Sequence, residues 1–262
     1  MGRIDTVRDG AVVTVVISNP RKKNALTMGM LKELRTVFQQ LNEERDLRCV
    51  VLRGEGDEAF CAGYDINAIP SKEDGGEQVL LSSNPFDDMI RAVESVRIPV
   101  IAMIHGPAFG GGLELACACD LRIASERAVF GMTPARLGII YRPAGLMRFI
   151  NIIGVPYTKE LFYTARPIGS KRAEDIGLVN RVVPHEELEA VVYETAREIS
   201  ENAPLSIAGT KRMISLCLQS WPLTEDQVKE ADELIRTCME SDDLVEGKRA
   251  FREKRKPRFR GE

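Results

Sequence analysis

Runs of β-branched and aliphatic residues at positions 12–17, 47–53 and 100–104 alternate along the chain with stretches whose apolar residues recur at helical spacing. The runs are too short for a membrane span and are bounded by glycine, proline or asparagine, which is the pattern of buried strands. Between the first two, Thr27 stands where it can cap a helix running to about Glu44, with Leu31, Leu34, Phe38 and Leu41 along one face. Residues 71–85 are polar, glycine-bearing and aperiodic, which predicts a loop. Residues 86–96 read as a helix that leads into the third strand. An order of strand, helix, strand, helix predicts parallel pairing through right-handed crossovers, with ligands beyond the carboxyl ends of the strands. Two glycine-bearing corners fall at such ends, one at Gly63 and one at Gly110, Gly111 and Gly112.

The second corner lies in the stretch PVIAMIHGPAFGGGLEL at 99–115, which reads as a strand, a tight loop and a helix over 113–119. Glycines there permit positive φ and close approach of a ligand to the main chain. The first helical turn adds unpaired amides and the positive end of the helix dipole, a setting suited to a negatively charged oxygen. Glu114 is a carboxylate in an otherwise apolar turn, flanked by Leu113, Leu115 and Ala116. On this stretch alone, glycines that serve only close packing are an equal alternative. The spacing matches neither the dinucleotide fingerprint nor a P-loop, so nucleotide phosphate is a weak reading.

Farther on, residues 120–124 and 128–130 suit short strands, and helices are expected at about 145–153, 156–165, 170–176, 186–202, 204–220 and 224–240. The change of pattern between Gly138 and Gly145 divides an α/β core, residues 1–140, from a helical part, residues 141–262. A chain of 262 residues is long enough for a substantial core, and a net charge of −3 gives no basic field for nucleic acid. The N-terminus lacks a signal-peptide pattern, and six cysteines lie scattered without CxxC pairs, so reduced thiols in a cytoplasmic protein are expected. Gly2 and Thr6 touch a myristoylation pattern, but nothing else in the chain points to a membrane. With only His105 and His185 present, a multi-histidine metal site is excluded and no metal is expected. The tail FREKRKPRF at 251–259 is basic, as a solvated end or as a phosphate contact.

NAL at 24–26, FCAGYDI at 60–66, HGPAFGGGLEL at 105–115, ACDLRIAS at 118–125 and the basic tail, in that order, resemble the crotonase (enoyl-CoA hydratase/isomerase) superfamily. The resemblance implies a crotonase-like α/β fold, a (ββα)n spiral core followed by a helical C-terminal trimerisation region, and an acyl-CoA thioester as substrate. It implies that the thioester oxygen receives the amides of Tyr64 and Gly111. Lys23, Ala25, Leu26, Ala62, Asp65 and Ile66 are the residues it implies for holding coenzyme A, which enters as part of the substrate and not as a separate cofactor. Phe251 and Lys254 would reach the coenzyme A of a neighbouring subunit in a homotrimer or homohexamer. Glu114 falls on the first of the two hydratase glutamates. The second falls on Pro134, which has no proton to exchange. MTPARLGIIY at 132–141 and the ending EGKRAFREKRKPRFRG resemble instead the methylmalonyl-CoA decarboxylase subgroup, in which Tyr141 would face the substrate carboxylate. That subgroup carries histidine where this chain has Tyr64. Hydration or isomerisation through Glu114 and a non-standard partner is the alternative, and Glu114 as acid or as orienting group stays open. Arg136 and Arg142 flank Tyr141, either as solvated side chains or as partners for a second carboxylate on the acyl group.

Overall fold

The computed structural model describes residues 2–65, 84–219 and 224–262, and the side chain of Phe251 is outside the description. Most of the expected loop at 71–85 lies outside the described residues, as does Ile66.

Strands β1 (Arg3–Asp9), β2 (Val12–Ser18), β3 (Cys49–Gly54), β4 (Val100–Ile104), β6 (Leu121–Ser125) and β9 (Arg181–Val183) form one sheet in the order β1-β2-β3-β4-β6-β9. The antiparallel β1 edge is joined to a run of parallel neighbours. Side chains alternate between two cores, as the period of two requires. Val13, Val15, Ile17, Val50, Leu52, Val100, Ala102 and Ile104 enter one core, while Val12, Val51, Ile101, Met103 and Ile123 enter the other.

After β2, β3 and β4 the chain bends into a short second pairing segment. Leu26 bridges Tyr64, Cys61 bridges Ala108, and β5 (Ala108–Phe109) pairs in parallel with β7 (Val129–Gly131). Successive turns of the chain therefore stack, each pairing with the next at both of its strand positions. A helix closes three of these turns: α1 (Met28–Glu43), α2 (Pro85–Ser95) and α3 (Gly111–Ala118). Thr27 caps α1 by accepting from the Met30 amide at 3.4 Å, and Met30, Leu31, Leu34, Phe38 and Leu41 are buried on its inner face. Each such side chain contributes roughly 1.5–3 kcal/mol of hydrophobic stabilisation.

Several polar residues of the quoted motifs hold these turns together. Asn24, in the left-handed region with φ 58°, donates from Nδ2 to the carbonyls of Glu55 at 3.0 Å and Ala59 at 2.7 Å. Asp120 accepts from the Val100 amide at 2.7 Å and from Lys211 at 2.6 Å, and buried Arg122 donates to the carbonyls of Cys119 and Leu178. In each case a side chain replaces a main-chain partner that the corner cannot supply.

Beyond residue 142 the chain is mainly helical: α4 (Pro143–Thr164), α5 (Ser170–Asp175), α6 (Leu188–Ser200), α7 (Pro204–Gln219), α8 (Glu225–Glu240) and α9 (Asp242–Glu253). Gly154, at φ 71°, breaks α4 where two helices were expected. The α/β layer nevertheless continues past residue 140. Strand β8 (Ile168–Gly169) pairs with β7, β9 extends the main sheet, and α6 covers the sheet's second face through Leu188, Val192 and Ala196. Tyr193 adds a hydroxyl contact to Thr14 at 2.7 Å. Periodicity cannot reveal this return, because it depends on contacts far apart in sequence.

The basic tail differs from a solvated end. Lys254, at φ 54°, turns the chain back along α9, where Asp243 accepts the amides of Arg260 at 2.7 Å and Gly261 at 2.8 Å. Glu246 binds Arg255, Arg249 and the Arg258 amide, contacts that hold its carboxyl well below the usual range.

Candidate active site

The two glycine corners meet. A Cβ added to Gly63, at φ 106°, would lie 3.5 Å from the Gly111 amide nitrogen, and one added to Gly111 would lie 3.5 Å from the Tyr64 nitrogen. The first of these corners is set by pairing: the Leu26 amide donates to the Gly63 carbonyl at 2.8 Å, and the Asp65 amide to Leu26 at 2.9 Å. The second is set by the Gly110 amide on Gly131 at 2.9 Å, with Gly110 at φ 50°. Helix α3 starts at Gly111 and not at Leu113, which places the Gly111 amide among those that no helical turn can satisfy. Glycine is required at this packing distance. A Cβ on Gly112 would stand 2.3 Å from the Cys61 carbonyl oxygen, and one on Gly111 would stand 2.9 Å from the Phe86 ring. Phe86 is carried into place by α2, whose Asn84 cap accepts its amide at 3.0 Å.

One turn into α3, Glu114 is 5% exposed. Arg148 of α4 donates from Nη1 to Glu114 Oε1 at 2.7 Å and from Nε to Glu94 Oε1 at 2.6 Å. The Tyr141 ring lies beside the Glu114 carboxyl, the two flanking Gly145, and packs edge-on against Phe162 at 5.2 Å between centroids. Burial pushes the Glu114 carboxyl up to about 7; Arg148 opposes that shift, while the charges of Asp87 and Glu94 add to it. Burial and then the neighbouring Glu114 push the Tyr141 phenol well above its ordinary value. The arrangement therefore offers, near neutral pH, a carboxyl that can give or take a proton, joined to a phenol that stays protonated.

The expected site residues sort by location. Tyr64, Gly111, Glu114 and Tyr141 come together at the corners or through Glu114. Lys23, Ala25, Ala62 and Asp65 lie along the paired segments that lead into the first corner: the Lys23 carbonyl accepts the Ala62 amide at 2.9 Å, and it is Lys22 whose ammonium pairs with Asp65 at 2.7 Å. Leu26 belongs to the same pairing, but it is fully buried and its amide and carbonyl are taken by Gly63 and Asp65, so it shapes the corner without meeting a ligand. Lys254 is exposed where the tail turns back. Pro134 is buried in a short 3-10 turn. Arg136 is exposed, and Arg142 pairs with Asp87 at 3.3 Å. Sequence reasoning missed Arg148 and Gly145. A Cβ on Gly145 would stand 2.8 Å from Glu114 Oε1 and 3.0 Å from Tyr141 Cδ1. Their i, i+3 spacing on one helix face was visible in the sequence, but no local signal aimed that face at Glu114.

Among the described residues no cluster of three or more histidine, cysteine, aspartate or glutamate side chains is placed to hold a metal ion, and no helix is long and apolar enough to cross a membrane. A cleft of about 890 Å³ lies elsewhere, along α9 and the returning tail, where the guanidinium groups of Arg249 and Arg255 are committed to Glu246.

Residues 8–262 match the enoyl-CoA hydratase/isomerase family. The chain is 34% identical over 259 residues to methylmalonyl-CoA decarboxylase of Escherichia coli (strain K12), covering 98% of both chains. It is 34% identical over 251 residues to short-chain-enoyl-CoA hydratase of Clostridium acetobutylicum, covering 95% of this chain and 94% of that one. The crystal structure of an enoyl-CoA hydratase from Bacillus anthracis superposes with a TM-score of 0.90 at 37% identity, covering 99% of both chains.

Proposed function

This chain belongs to the enoyl-CoA hydratase/isomerase family, a crotonase-fold acyl-CoA enzyme, and from that premise we propose that it decarboxylates a malonyl-type acyl-CoA thioester. The observation that carries the proposal is the pairing of Glu114 with Tyr141, a phenol, while buried Pro134 occupies the place expected for a second glutamate. Syn-addition of water calls on two carboxyl groups. Loss of carbon dioxide calls on one stabilised enolate and one proton.

In this reading the thioester oxygen lies on the amides of Tyr64 and Gly111, whose close approach supports the assignment. The bond from the α-carbon to the carboxylate breaks, its electron pair enters the enolate, and negative charge develops on that oxygen. Fixed amides act most strongly there, each worth on the order of 3 kcal/mol of barrier. Tyr141 orients the departing carboxylate through a neutral hydroxyl. A guanidinium at that point would bind the ground-state carboxylate tightly and slow its departure. Arg148 is already committed to Glu94 and Glu114. The α-carbon is then protonated from the Glu114–Tyr141 pair. Coenzyme A runs along Lys23, Ala25, Ala62, Asp65 and Ile66, over the buried Leu26. Phe251 and Lys254 meet the coenzyme A of a neighbouring subunit in a trimer or hexamer. Exposed Ile214, Leu218, Ile235 and Met239 on the C-terminal helices support such association.

A second reading, hydration or isomerisation of an enoyl-CoA, is favoured by the position of the Glu114 carboxyl at about 7, which suits a general acid–base group. Incubation with methylmalonyl-CoA and with crotonyl-CoA, followed by mass, separates the two. Loss of the mass of carbon dioxide from the first supports decarboxylation. Gain of the mass of water by the second, with the first untouched, refutes it.

A further inference from the structure

Glu114 is gripped from one side by a single helix. Gly145 and Arg148, one turn apart near the start of α4, meet the same oxygen, Oε1: the first by leaving room for it and the second by donating to it at 2.7 Å. The Arg148 guanidinium does not wander, because its Nε is held by Glu94 at 2.6 Å and its side chain is only 11% exposed. A planar fork fixed at two points defines the direction of the carboxyl it holds.

We propose that Arg148 is a positioning residue for Glu114, anchoring Oε1 in the space left by Gly145 so that the carboxyl keeps its contact with Tyr141 and meets the acyl group in one orientation. The inference rests on the reading that Glu114 serves the acyl-CoA reaction. The charged and titratable groups around Glu114 come from every element packed against it. Asp87 and Glu94 come from α2, Cys117 from α3 itself, Tyr141 from the preceding loop, and Arg148 from α4. Among the described residues, Arg148 is the cation in direct contact. Without it, burial and the two carboxylates of α2 are opposed by Tyr141 alone among these groups, and ionisation of Glu114 moves to higher pH.

The test reads the carboxyl and not turnover. The infrared carbonyl band of protonated Glu114, identified by its loss in Glu114→Gln, is followed across pH in the wild type, Arg148→Gln and Gly145→Ala. Arg148→Gln is expected to raise the midpoint by at least one unit, a tenfold fall in the ratio of ionised to neutral Glu114 within the titration range. Gly145→Ala removes no charge and suits a helix, but its methyl displaces Oε1 from Arg148, so the midpoint also rises. It keeps the test open where Arg148→Gln fails to fold. An unmoved midpoint in a folded variant overturns the inference. A moved midpoint in a protein that turns over neither thioester overturns the proposed reaction and leaves the role of Arg148 standing.

Discussion

Replacing Glu114 with glutamine removes a carboxyl that the fold keeps neutral up to about pH 7, against an ordinary value of 4.5. Between those two values the native state binds one proton more than the unfolded chain, so wild-type stability falls as pH rises. Below the window both states are protonated, and above it both are ionised, so the loss is complete. A displacement from 4.5 to about 7 corresponds to about 3 kcal/mol. Glutamine does not titrate, and its amide oxygen can still accept from Arg148. The variant is therefore expected to gain on the wild type by up to about 3 kcal/mol between acid and neutral pH, which is several degrees in Tm for a chain of this size. Urea unfolding of both proteins at a series of pH values measures the difference, and any constant offset from the substitution cancels in its slope. Parallel curves, or a wild type that gains on the variant as pH rises, would refute the account of a carboxyl pushed up by burial. The same variant is expected to gain stability toward neutral pH relative to the wild type yet be nearly inactive, since the group that costs stability there is the one assigned to the chemistry.

Tyr141→Phe is expected to lower kcat on the order of a hundredfold while KM changes little, because the proposed reaction places the phenol on the reacting group and not on coenzyme A; an unchanged kcat would remove its role. Gly112→Ala is expected to destabilise the protein by about 3 kcal/mol or more, since its methyl would stand 2.3 Å from a main-chain oxygen that has no rotamer to yield, and near-wild-type urea unfolding would contradict the packing of these corners. His105 is 4% exposed, and its ring nitrogens have no hydrogen-bond partner among the described residues. Burial and then the Arg53 charge lower its ionisation below 6.5, so the unfolded chain takes up a proton first and stability falls as pH drops below that value. His105→Asn is expected to lose less stability over that range, and an identical acid titration of unfolding would count against it. Asp243→Ala frees the amides of Arg260 and Gly261 and is expected to speed proteolysis of the last residues without changing the unfolding of the core; an unchanged cleavage rate would show that the tail is held by other contacts.

The alternation of strands and helices up to α3 was legible because each signal is local. Residues 12–17 are β-branched throughout, Thr27 is followed by apolar residues at helical spacing, and Gly111 and Gly112 announce a corner that admits no side chain. The presence of Glu114 in an apolar turn was legible for the same reason. What surrounds it was not. Arg148 reaches Glu114 across 34 residues and Glu94 across 54, and nothing in a stretch reading LMRFI distinguishes a guanidinium aimed inward from one in water. The return of β9 to the sheet edge and the folding back of the tail on Asp243 and Glu246 depend on the same kind of distant contact.

The stacking of successive turns explains why a site of this kind needs residues from separate parts of the chain. Each turn supplies one corner, and a corner alone holds a single amide whose position is fixed by pairing with its neighbour. Tyr64 belongs to the turn after β3 and Gly111 to the turn after β4, so their approach is set by the bridges Leu26 to Tyr64 and Cys61 to Ala108, and not by either loop's own preference. The rigidity that the proposed reaction requires of these two amides is then a property of the paired turns. It also predicts where the site is vulnerable. Changes to Asn24 or Gly112, which pack against main-chain carbonyls of the first corner, act on the distance between the two amides, whereas changes to Arg148 or Gly145 leave that distance alone and act on the carboxyl. Variants of the first pair should lose turnover together with core stability, and variants of the second should lose turnover with the core intact.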